Sequence, residues 1–350
     1  MSAWLAAGAV GDPARVHSEG LAARVAVEDG RAAVASMLGC RPRSVVFTSG
    51  ATEAITAAVW GAVERAGGHV VVPAIEHSAV RLSSMAFASS VTVVGCDRLG
   101  RVSVDDVLDA VRPGETALVH LQWGNHEVGT LQPVASVVAA CRAMGVLVHV
   151  DAAQAIGRVP ISFDELGADL MSVSAHKMGG PGGIGALLVR RGLRLRPLLV
   201  GSDQERARRA GFENVLGIIG WGAAAGEEVS ASRQLQLSQR VLDGVAGLEG
   251  VQQYGDPSPA GRLPHIVCLG IDGIEPQAVL LGLDQAGIAV HSGSACASED
   301  LQPSPVLEAM GVDAHRSLRV SVGWDTTDAD IDAFLDALPA VIGRLRRLSR

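Results

Sequence analysis

Along the first two thirds of the chain, short runs of Val, Ile and Leu alternate with longer stretches in which apolar residues recur at helical spacing. The runs Val45–Phe47, Val70–Val72, Val91–Gly95, Ala117–Leu121, Val146–Val150, Leu170–Val173 and Ile184–Val189 are too short for helices and read as strands. Strands alternating with helices in this way predict an α/β fold: a large domain with a mostly parallel seven-stranded sheet covered by helices. After about Gly226 the order changes to helix, strand (Ile266–Ile271), helix (Pro276–Ala286), strand (Ile288–Val290), loop, helix from about Pro305, strand (Ser317–Val322) and an amphipathic helix from about Thr327. This predicts a smaller α+β domain. The expected division is 12–225 for the large domain and 226–350, with residues 1–11, for the small one, the site lying between them.

Several residues with useful chemistry stand at the ends of these strands. Lys177, in Ser174-Ala175-His176-Lys177, follows an apolar run and precedes Gly179-Gly180-Pro181-Gly182-Gly183, so an amine is set beside backbone that other groups can approach closely. Such an amine suits a Schiff base with a carbonyl cofactor; the plain alternative is a loop lysine in solvent. Asp151 closes the run Val146–Val150, at the strand end that faces the ligand crevice in open α/β sheets. A pyridine cofactor needs a carboxylate there, although Asp also caps ordinary turns. Thr48-Ser49-Gly50-Ala51-Thr52-Glu53 joins a strand to a helix and leaves backbone N–H groups at a positive helix end, an arrangement suited to phosphate or simply to a capped turn. Cys296 lies in the small-residue stretch Ser292-Gly293-Ser294-Ala295-Cys296-Ala297-Ser298, whereas Cys40, Cys96, Cys141 and Cys268 sit in or beside apolar or helical stretches.

In order and spacing, Ser49–Glu53, Glu76-His77, Asn125-His126-Glu127-Val128-Gly129-Thr130, Asp151–Gln154, Ser174–Lys177, Gly293–Cys296 and Leu318-Arg319-Val320-Ser321 together resemble the cysteine desulfurase family of pyridoxal 5′-phosphate enzymes, from about Gly11 to Arg350. The resemblance implies the aspartate-aminotransferase fold type. It also implies that Lys177 carries the cofactor and shuttles the α-proton, that Asp151 pairs with the ring nitrogen, that His77 stacks on the ring and that Gln154 bonds its phenolic oxygen. Ala51 (through its backbone), Thr52, Ser174 and His176 would hold the phosphate. Arg319 and Asn125 would bind the substrate carboxylate, and Cys296 would take sulfur from L-cysteine as a persulfide and pass it to an acceptor protein. A cytoplasmic homodimer is implied as well. Read singly, His77 is also a loop histidine, Asn125 a turn residue and Arg319 the solvated face of a strand.

The chain departs from that pattern in three places. Met1–Val10 holds no counterpart of the family's Asp-Asn-Ala-Ala-Thr-Thr segment, Phe212 stands in Arg209-Ala210-Gly211-Phe212 where a threonine is usual, and His126 stands where a second asparagine is usual. A selenocysteine lyase, a β-lyase or a non-catalytic scaffold of the same fold are the rival readings.

Composition narrows the field further. With 350 residues and 48% apolar content the chain can bury a large core. Five cysteines without CxxC spacing argue for a reducing compartment and against a disulfide framework, and no metal is expected. A net charge of −8 argues against a general nucleic-acid binder, and no apolar run is long enough to span a membrane.

Overall fold

All seven expected runs form strands of one sheet in the computed structural model, which describes residues 1–8, 11–227, 230–292 and 303–348. The strands are β1 (Val45–Thr48), β2 (His69–Pro73), β3 (Ser90–Val94), β4 (Thr116–Gln122), β5 (Leu147–Asp151), β6 (Leu170–Ser174) and β7 (Gly185–Val189), in the order β1-β7-β6-β5-β4-β2-β3. β2 to β6 pair in parallel, whereas β7 is antiparallel to both β1 and β6, so every strand except β7 points the same way. Strands β4 to β7 are buried throughout, which is why they read as predominantly apolar runs and not as alternating ones.

The two faces of the sheet are covered by different helices, the first four being α1 (Ser2–Ala6), α2 (Ser18–Met37), α3 (Ala51–Ala66) and α4 (Ser78–Phe87). On one face Ala54, Ile55, Ala58, Val59 and Ala62 of α3 pack on Val46, Val70, Leu118, Leu147, Leu170 and Leu187. The other face presents the intervening strand residues, Phe47, Val71, Val119, Val148 and Val173, to a second cluster that includes Val27 and Val34 of α2 and Trp221 of the helix Val215–Ala225. Those two helices cross closely because glycines meet there: a Cβ on Gly222 would lie 2.8 Å from the Gly30 Cα. The opening helix, expected with the second unit, instead packs through Trp4 against this cluster, and the Met1 sulfur occupies the space a Cβ on Gly220 would need.

The later part of the chain forms a four-stranded antiparallel sheet of β8 (Val251–Tyr254), β9 (Ile266–Ile271), β10 (His291–Ser292) and β11 (Ser317–Ser321), in the order β10-β11-β9-β8. The strand expected at Ile288–Val290 falls instead at His291–Ser292, and β8 was not legible because Gln252 and Gln253 interrupt its apolar pattern. Its core joins Val267, Leu269 and Leu318 to Leu237 and Val241 of the helix Ala231–Val245 and to Phe334, Leu338 and Ile342 of the helix Asp328–Leu348.

Glu205, Arg206 and Ala207 all adopt left-handed backbone (φ 48°, 60° and 60°), a costly conformation for residues with a Cβ. A buried ion pair holds them there. Both terminal nitrogens of Arg31 donate to the Glu205 carboxylate at 2.7 and 2.8 Å, and the Phe47 N–H donates to it at 2.9 Å. This anchor places Arg209 beside the head of α3, where its Nε donates to Glu53 at 2.9 Å.

Candidate active site

Because β1, β2, β4, β5 and β6 share a direction, their carboxyl ends meet at one edge of the sheet. A cavity of about 440 Å³ opens there, and Ala51, Thr52, His77, Asp151, Gln154, Ser174, His176, Lys177 and Arg319 all line it. Segments spread over most of the chain thus converge on one cleft. Among the described lining residues Asp151 is the single acid, set against the cations Lys177 and Arg319.

One end of the cleft is built for an anion. The N–H groups of Ala51, Thr52 and Glu53 precede the first intrahelical bond of α3, Ala54 N–H to Gly50 O, so they remain available as donors. Glu53 does not occupy the anion's place, because its carboxylate accepts from the Ser49 N–H at 2.8 Å and from Arg209. Burial raises the pKa of Glu53, but the Arg209 and Ser49 contacts outweigh it and the net shift is downward. A Cβ on Gly50 would come no nearer than 3.8 Å to any atom, leaving open space beside Ser174, whose Oγ lies 2.9 Å from His176 Nδ1. Gly185 of β7 allows the approach of this turn to the sheet, since a Cβ there would lie 2.6 Å from the Gly50 Cα.

At the centre, both hydrogen bonds to the Asp151 carboxylate fall on Oδ1, from Ala153 N–H and Ser172 Oγ, each at 3.0 Å. Oδ2 accepts none from the described residues, so a ring nitrogen has a carboxylate oxygen to meet. Facing it, His77 caps α4: its Nδ1 accepts from Ala79 N–H at 3.1 Å, which puts the proton of the neutral ring on Nε2. Burial, then His126, lowers the His77 pKa to about 4, with Lys177 and Arg81 pushing the same way and Asp151 opposing. The His126 ring meets His77 edge to face, centroids 5.1 Å apart. Beneath them, Glu76 is fully buried, accepts from the Gln122 N–H at 2.6 Å and has its pKa raised well above the ordinary range by burial and by Asp151.

Lys177 sits on a single 3₁₀ turn, Ala175–Met178, that ends β6 and is stopped by left-handed Gly179 (φ 89°). The Lys177 carbonyl accepts from Arg158 Nη2 at 3.3 Å. On the opposite wall, Arg319 of β11 donates from Nη1 to the His126 carbonyl at 3.0 Å.

Two sequence expectations fare differently. Asn125, expected to meet the substrate, is fully buried and does not line the cavity. Its amide donates to the Ile75 carbonyl and accepts from the Glu127 and Val128 N–H groups, so it shapes the turn that carries His126. Cys296 lies outside the described residues. Sequence reading also missed Arg158 and His265, which meet site residues 19 and 111 positions away, at Lys177 and Gln154.

The pattern of the aminotransferase class-V family matches residues 6–334. Cysteine desulfurase IscS 1 of Archaeoglobus fulgidus is 38% identical over 357 residues, covering 97% of this chain and 91% of that protein. A cysteine desulfurase of Gluconacetobacter diazotrophicus is 39% identical over 359 residues, covering 97% and 88%. Among solved structures, a NifS-like protein superposes with a TM-score of 0.86 at 32% identity, over 96% of this chain and 92% of that one.

Proposed function

Because the chain belongs to the aminotransferase class-V family and is a cysteine desulfurase, we propose that the cleft at the strand ends holds pyridoxal 5′-phosphate and takes sulfur from L-cysteine. The supporting observation is that a helix N-terminus with available N–H donors, a carboxylate whose Oδ2 accepts no hydrogen bond from the described residues, a lysine and an arginine line one cavity. When bound, the cofactor supplies an electron sink for charge developing at the substrate Cα.

The residues divide the remaining work. The backbone at Ala51, with Thr52, Ser174 and His176, holds the phosphate; Asp151 keeps the ring nitrogen protonated; and His77, neutral and fixed by its cap, covers the ring face. Lys177 secures the cofactor covalently and afterwards, as a free amine, moves the proton at Cα. Arg319 orients the substrate through its carboxylate, for which a planar guanidinium is the better partner. The Cys296 thiolate attacks the substrate sulfur; the S–C bond breaks with its electron pair going to carbon, which is protonated to give alanine, and a persulfide remains on Cys296 for an acceptor protein.

The described residues on either side of Cys296 support this assignment. Ser292 pairs with Leu318, next to Arg319, and Ser304 donates to Glu127, next to His126, so these two described residues each meet a neighbour of a residue that lines the cavity. Exposed Val200 and Phe212 support a second copy as a further partner, in the reducing cytoplasm; light scattering tests the association. None of the described helices is long and apolar enough to cross a membrane. Borohydride reduction with peptide mapping, together with an L-cysteine assay for alanine and sulfide, tests the main reading: a pyridoxyl adduct on Lys177 is expected, and its absence sinks it.

A further inference from the structure

We infer that His265 is a positioning residue, which turns the Gln154 amide so that its NH₂ end and not its oxygen serves the cleft. This rests on the reading above, in which Gln154 bonds the phenolic oxygen of pyridoxal phosphate.

His265 immediately precedes β9, and its own carbonyl accepts from the Val322 N–H at 3.0 Å, which ties its backbone to the end of β11. Its ring is buried, with Nε2 3.3 Å from Gln154 Oε1. An amide oxygen only accepts, so Nε2 must carry the proton and donate it. Gln154 lines the cavity, and with its oxygen engaged by His265 the group left to face an occupant is the NH₂ donor. A phenolic oxygen that carries negative charge is an acceptor and requires such a donor.

The surroundings keep His265 in this form. Its Nδ1 is buried with no hydrogen-bond partner among the described residues, and the cations facing it are Arg158, Lys177 and Arg319. Burial first, and then these three charges, push its pKa down to about 3. Arg158 strengthens the effect because no carboxylate of the described residues answers it: Nη2 donates to the Lys177 carbonyl, while buried Nε and Nη1 find no acceptor among them. A proton on Nδ1 would place another positive charge in an already cationic, poorly solvated region.

The inference yields a direct measurement and a mutant cycle. In holoenzyme labelled with ¹⁵N-histidine, His265 is expected to show the Nε2–H tautomer and no titration between pH 5 and 8; the Nδ1–H tautomer, or a midpoint near 6.5, overturns the proposal. His265→Phe is expected to weaken pyridoxal phosphate retention about tenfold, the scale of one lost hydrogen bond to a charged group, and to displace the visible absorption band. His265→Gln, which keeps a donor of similar reach, is expected to restore both. In a Gln154→Ala background His265→Phe should add nothing, since both changes remove one interaction; additive losses, or a silent His265→Phe, overturn the proposal while leaving the cofactor reading intact. Wild type that takes up no pyridoxal phosphate overturns both. The wild-type tautomer decides the matter if the variants do not fold.

Discussion

His120 and His149 face each other across neighbouring strands with their Nδ1 atoms 2.9 Å apart, fully buried in the sheet, and neither Nε2 finds a partner among the described residues. One ring must donate to the other, so the accepting ring must be neutral. Each has an ordinary value near 6.5 when unfolded, whereas burial drives His149 to about 3, and burial with the neighbouring ring drives His120 well below its usual range. Unfolding therefore takes up protons below pH 6.5. The folded state is favoured fully above that pH and loses up to about 1.4 kcal/mol per pH unit per ring as pH falls below it. The melting temperature is expected to drop more steeply between pH 7 and 5 in the wild type than in His120→Leu/His149→Leu; equal slopes would contradict the assignment.

The buried Arg31–Glu205 pair makes a second test. Glu205→Ala leaves Arg31 without its bidentate partner and releases the left-handed residues that place Arg209, at an expected cost of about 3–5 kcal/mol. Arg15→Ala breaks an exposed pair with Asp12 and should cost less than about 1 kcal/mol. Urea denaturation compares the two directly.

His77 is held neutral, so its titration is expected near pH 4 and not near 6.5. The His77 ring therefore keeps its neutral form from pH 5 to 8, and kcat/KM should show no acid limb from this residue in that range. His126→Asn removes one neighbouring ring and is expected to move the midpoint upward. Carbon-13 NMR of labelled histidine reads both; an unchanged midpoint in the variant would show that burial alone sets it.

Lys177→Ala and Cys296→Ala should fail at different points. The first is expected to lose the borohydride-reducible adduct and about 10³-fold or more of sulfide production. The second should keep the cofactor's visible band while losing sulfide and persulfide formation. Normal sulfide release by Cys296→Ala would exclude that thiol as the sulfur carrier.

The seven strands of the large sheet were legible because central strands are buried on both faces, so apolar residues predominate along them, broken in β5 only by His149 before the closing Asp151. Lys177, Asp151 and the Ser49–Thr52 turn were legible for a related reason: polar residues at the ends of such runs fall at the sheet's carboxyl edge. β8 was hidden because Gln252 and Gln253 occupy half of its four positions. The bonds of the Asn125 amide to Ile75, Glu127 and Val128 were hidden because a motif marks a location, whereas those partners arise only from the folded turn.

Sequence alone determined which stretches are buried and which chemically able residues stand at their ends, since hydrophobic periodicity records how each residue's own face is covered. The tertiary structure decided what covers that face: His265 reaches Gln154 across 111 positions, and Arg31 reaches Glu205 across 174. Those partners were invisible beforehand because a side chain's pKa, tautomer and orientation depend on the charges and bonds that folding brings beside it, and spacing along the chain carries no record of them.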